Sequence, residues 1–148
     1  MSLTPERLKR LVVYRERLEH LQERKLGDAQ RAHAAREQTL AETGQRREAL
    51  FAAGAPGSGP VAPEDLALGR AYVERLDREA TATRAALVHS NNAVVFERNQ
   101  LLVRRRDRKS LETLLEQRVK EERIRERRAD LATLDGMALR DWVPDRER

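Results

Sequence analysis

Apolar positions along this chain recur at the spacing of helices that each bury one narrow stripe. In the first third, Leu11, Tyr14, Leu18 and Leu21 follow a 3,4,3 rhythm, the two-per-heptad pattern of a coiled-coil seam. Ala32 and Ala35 continue that register, where small side chains let two helices approach closely. Leu40 and Leu50 fall one position late, which predicts a stutter in the repeat. The second pattern is stricter. Every seventh residue from Leu66 reads Leu66, Val73, Ala80, Leu87, Val94, Leu101, Arg108 and Leu115, and seven of these eight are apolar. The accompanying seam positions, among them Leu76, Thr83, Ser90 and Leu111, are less apolar.

The ends of these two segments are marked chemically. Thr4 suits the N-cap of the first helix, Pro5 its first turn, and Glu6 the positive end of its dipole. The stretch Ala53-Gly-Ala-Pro-Gly-Ser-Gly-Pro-Val-Ala-Pro63 has three glycines and three prolines, which neither continues a helix nor supports a strand. It lacks the Gly-Lys-Ser/Thr ending of a phosphate-binding loop. The second helix starts at Pro63-Glu64-Asp65, and Gly136 is placed at its end. The expectation is an all-α, single-domain chain. Helix 1 spans 5–53, a turn 54–63, a longer helix 2 64–135 and a short tail 136–148.

So short a turn folds the helices back antiparallel. With residue 53 opposite 64, facing residue numbers sum to 117. Leu8 then meets Lys109, and Gly27-Asp28 meets Ser90-Asn91, a polar layer suited to fixing alignment or to docking. Residues 110–134 overhang helix 1 by roughly 35–40 Å at the helical rise. Leu111, Leu114, Leu115, Val119, Ile124, Leu131 and Leu134 lie on this overhang. A lone helix cannot bury them, so they mark a partner site, unless helix 1 shifts register and covers part of them.

Composition narrows the function. The chain has 148 residues, 37% charged, 3% aromatic and no cysteine. Its 30 basic and 25 acidic side chains are interspersed, the mark of a solvated helical surface more than of a nucleic-acid stripe. No secretory leader and no membrane span is expected. His20, His33 and His89 lack the i,i+4 spacing of a helical metal pair. Neither catalysis nor a cofactor is expected. The densest basic run, Arg104 to Lys109, has no interleaved aromatics for base stacking. Arg104, Arg105 and Arg108 are therefore candidates for docking an acidic protein surface, against the alternative of a solvated face with pairs such as Arg108–Glu112.

One short C-terminal motif resembles the flagellar type III export stalk family (FliJ, with YscO-like relatives in virulence systems). Family members carry Glu-x-Arg-x-acid-Gln-Lys-x-Leu-Asp-Glu-x-Ala. Glu126, Arg128, Asp130, Leu134, Asp135 and Ala138 occupy the matching places. Leu131, Ala132 and Gly136 depart from the pattern. The resemblance extends to chain size, the basic first helix and the placement of the turn. It implies a non-enzymatic antiparallel coiled coil, similar to the central stalk of rotary ATPases. The implied partners are a hexameric export ATPase, the cytoplasmic domain of the export gate and substrate chaperones. The implied location is the cytoplasm, peripheral to the inner-membrane export apparatus. On this reading Leu111, Leu115, Arg118, Val119, Arg128, Leu131, Leu134 and Asp135 face the ATPase ring. Leu11, Leu18, Leu21, Leu66, Val73, Leu76, Leu87, Val94 and Leu101 form the coiled-coil seam. A generic helical scaffold or chaperone, and a basic nucleic-acid-binding hairpin, are the competing readings.

Overall fold

The computed structural model describes residues 3–53 and 59–142. The fold is all-α, an antiparallel hairpin of α1 (Pro5–Ala53) and α2 (Pro63–Trp142). Residues 54–58 of the expected turn and 143–148 of the expected tail lie outside the described residues. The N-terminus of α1 is built as its sequence suggests. The Arg7 amide donates to Thr4 Oγ1 at 3.4 Å and the Leu8 amide to the Thr4 carbonyl at 3.0 Å, with Glu6 in the first turn. At the start of α2 the Ala62 carbonyl accepts from the amides of Asp65 and Leu66. Pro63 needs no such bond because it has no N–H to satisfy.

α2 does not stop at Gly136. It runs seven residues past the expected end, to Trp142. A single glycine disfavours a helix interior by only about 1 kcal/mol, and no proline follows until Pro144. Arg140 in the last turn is matched to the negative helix end.

The contacts divide the chain into two compact units, Met1–Glu19 with Arg104–Arg148, and His20–Val103. In His20–Val103, the covered seam positions of α2 run 73, 76, 80, 83, 87, 90, 94, 97 and 101, with Gly69, Tyr72, Ala86 and Gln100 half-buried at its flanks. That is an unbroken 3,4 alternation. Leu76, Ser90, Val94 and Leu101 are its most buried members. Leu66, expected in this seam, is instead 61% exposed; it lines an open groove with Leu50, Phe51 and Val73.

The α1 seam differs from the expected one. Its seam positions are 8, 12, 15, 19, 22, 26, 29, 33, 36, 40, 43 and 50, with Pro5 and Gly27 half-buried beside them. Leu11, Tyr14, Leu21, Ala32 and Ala35 lie outside that set and are exposed, and Leu18 is half-buried at its flank. Leu40 and Leu50 are members of the seam, so no stutter occurs. The reason is that much of this seam is polar. Arg15, Glu19, Gln22, His33, Arg36 and Thr43 occupy positions that a hydrophobicity pattern passes over, and partners on α2 satisfy several of them.

Within residues 20–103, the Gln22 side-chain amide donates to the Glu97 carbonyl at 3.0 Å and also bonds the Glu97 carboxylate. His33 Nδ1 is 2.7 Å from Ser90 Oγ, which donates to the Leu87 carbonyl at 3.0 Å. Arg47 reaches Asp77 at 3.4 Å. Among the described residues, no buried side-chain polar atom is left without a partner.

Candidate protein-docking surface

These cross-helix pairs set the register, and the register sets which part of α2 is free. Ser90 meets His33, not Gly27-Asp28, and Asn91 is exposed. In the unit of residues 1–19 and 104–148, Arg15 pairs with Asp107 at 3.3 Å and Glu19 with Arg105 and Arg108. Facing residue numbers therefore sum to about 123, not 117. α1 reaches some six residues further along α2 than expected. Leu8, 0% exposed, then lies level with Leu115 and not with Lys109.

That shift sorts the proposed ring-contact residues into two sets. Leu111, Leu115, Arg118 and Val119 are half-buried, together with Leu114, and so belong to the paired part of the unit. Arg118 also bonds Glu121 at 3.1 Å. Arg128, Leu131, Leu134 and Asp135 are fully in solvent. From residue 123 to 142 every position but Gly136 is exposed. Successive residues turn by about 100°, which places Arg128, Leu131, Leu134 and Asp135 within about 75° of their mean direction, on a single face. Ala138 and Trp142 continue this face. With a helix end at 135 both would fall in the tail, although the spacing 131, 134, 138, 142 keeps to one helical face. Leu131, Leu134 and Trp142 are 59%, 60% and 77% exposed, an apolar stripe along the last turns of α2 that no other helix among the described residues covers.

The basic run is not a free docking patch. Arg108 takes a seam position, the one break in the apolar heptad of α2, and donates to Glu19 at 2.5 Å and Glu112 at 2.7 Å. Arg105 donates to the same Glu19 carboxylate at 3.2 Å. Glu19 is only 7% exposed. The Arg108 hydrogen bond, opposed by burial, and the nearby charges of Arg108 and Arg105 hold its carboxyl below the ordinary glutamate range. Arg108 is in turn held in its charged form, first by Glu19 and then by Glu112. Two of the three arginines expected to dock a partner thus hold α1 to α2. Arg104 is half-buried beside them.

A family model described as Flagellar FliJ protein matches residues 4–147. The chain belongs to the FliJ family. As a FliJ-family member it is a component of the flagellar protein export apparatus. No curated protein and no solved structure matches it. Among the described residues, no group of three or more His, Cys, Asp or Glu side chains could hold a metal ion, and no helix is long and apolar enough to cross a membrane.

Proposed function

We propose that this FliJ-family chain is a non-enzymatic, stalk-like element of the export apparatus whose distal α2 face binds the hexameric export ATPase. The observation that supports this most directly is the exposed stripe Leu131, Leu134, Ala138 and Trp142, with Arg128 and Asp135 beside it, on helix that α1 does not cover. An axial helix bearing both charge signs can face several equivalent subunits without strong preference for one. The paired part of the hairpin is left to bind the cytoplasmic domain of the export gate, and substrate chaperones are further clients. The chain acts in the cytoplasm and reaches the inner membrane through these partners. Engagement of Arg105 and Arg108 with Glu19 weighs against the nucleic-acid reading, since those cations are already neutralised within the hairpin.

The test is size-exclusion chromatography with light scattering on mixtures with the cognate export ATPase, and ATP hydrolysis on the same samples. Co-elution with a raised hydrolysis rate is expected. Leu131→Asp combined with Leu134→Asp removes both effects and leaves helicity unchanged, because both side chains are already in water. Full stimulation by that variant places the contact elsewhere. No association of the unaltered chain rules the mechanism out for this pair.

A further inference from the structure

We infer that this chain pairs with a second copy of itself, the distal face of α2 in one molecule packing on the outer face of α1, residues 7–18, in the other. Both surfaces lie in the unit of residues 1–19 and 104–148, and each carries what the other lacks. On α1, Leu11 and Tyr14 are exposed and Leu18 is half-buried, a 3,4 stripe with no partner helix. At about 100° per residue, Arg7, Arg10 and Arg17 fall within about 60° of Tyr14, while Glu16 lies about 160° away. These arginines make no ion pair among the described residues, and Arg10 and Arg17 flank a shallow groove floored by Val13 and Tyr14.

The distal α2 face is its converse. Leu131, Leu134 and Ala138 repeat the same 3,4 spacing, and Trp142 extends the stripe by a further turn. Asp135 and Asp141 flank it within about 60–80°, and Asp130 stands slightly further round; Arg128 flanks its start, one turn before Leu131, and Arg140 points about 165° away, so acid outnumbers base beside the stripe three to one. The two faces are also matched in length, since residues 7–18 and 131–142 each span about 17 Å. Opposite charge beside apolar stripes of equal spacing is what two helices need to pack and to choose each other.

The contact cannot form within one molecule. Arg15 is held at Asp107, and residue 130 lies 23 positions further along the same unbroken helix, about 35 Å away. A two-fold arrangement uses both faces of both copies and closes. An anionic bilayer would suit the α1 face but be repelled by Asp130, Asp135 and Asp141. The dimer shares its distal face with the proposed ATPase contact, so free protein would keep that face covered until the ring displaces the second copy.

The experiment is sedimentation equilibrium of the full chain alone, over a range of concentrations, at low and high salt. Because no ATPase is present, its outcome is independent of ring binding. A concentration-dependent dimer that weakens with salt is expected. Asp135→Lys with Asp141→Lys should raise the dimer Kd by about tenfold or more. Adding Arg10→Glu and Arg17→Glu to that chain should restore association. All four positions are solvent-exposed, and circular dichroism confirms that the hairpin persists in each variant. A chain that stays monomeric under every condition overturns the inference. So does a dimer indifferent to the first pair of reversals, or one that the second pair fails to rescue.

Discussion

Glu19 is the residue whose replacement tests the hairpin's logic most sharply. Glu19 is 7% exposed, and its carboxylate receives Arg108 at 2.5 Å and Arg105 at 3.2 Å. Glu19→Gln keeps the shape and removes the charge. A hydrogen bond to a charged partner contributes about 1.5–3 kcal/mol when water is excluded. The Arg105 contact is discounted heavily, because that guanidinium is about half in solvent and exposed pairs contribute only about 0–1 kcal/mol. The expected loss for Glu19→Gln is therefore about 2 kcal/mol. It should appear as a lower urea midpoint with unchanged slope, followed by far-ultraviolet circular dichroism. Glu16→Gln, on the solvent side of the same helix and with no ion pair among the described residues, is the control and should move the midpoint by less than about 0.5 kcal/mol. Replacing Glu19 and Arg108 together by leucine should recover most of the loss, because it leaves no uncompensated charge in the seam. If Glu19→Gln unfolds at the same urea concentration as the parent, the buried cluster contributes nothing to the pairing of α1 with α2 and the argument fails.

Three further outcomes follow from the same structure. Leu76→Ala, at a site 1% exposed, should cost about 2–4 kcal/mol, while Leu66→Ala should cost under about 1 kcal/mol; equal effects in urea unfolding would restore Leu66 to the seam. Acid should weaken the hairpin through Glu19. Its folded pKa lies below the ordinary 4.5, so the stabilisation is complete above that value and is lost as pH falls through the depressed folded pKa. Thermal unfolding should show a fall in midpoint below about pH 4.5 that is smaller in Glu19→Gln. Gly136→Ala should strengthen the distal helix by up to about 1 kcal/mol, since a Cβ there meets nothing within 4 Å; amide exchange around residue 136 would slow, and unchanged exchange would show that the helix does not continue through it.

The sequence by itself determined the fold class, because glycine and proline break only one segment and the apolar heptad of α2 is legible at seven of its eight positions. It also marked the start of α1, where Thr4, Pro5 and Glu6 act locally and need no partner. The face of α1 was not legible. An apolar stripe announces a seam only when the seam is apolar, and here Arg15, Glu19, Gln22 and His33 fill it while Leu11, Tyr14 and Leu21 face water. Those polar side chains can occupy the seam only because Asp107, Arg108, Glu97 and Ser90 stand opposite them, a fact that exists once two segments 57 to 92 residues apart are brought together. The tertiary structure decided the register for the same reason. The turn left it open by several residues, and specific hydrogen-bonded pairs closed it. With the register came the division of the candidate site. Leu111, Leu115, Arg118 and Val119 passed to the hairpin. Arg128, Leu131, Leu134 and Asp135 stayed in solvent, joined by Ala138 and Trp142 on a helix that one glycine was too weak to end.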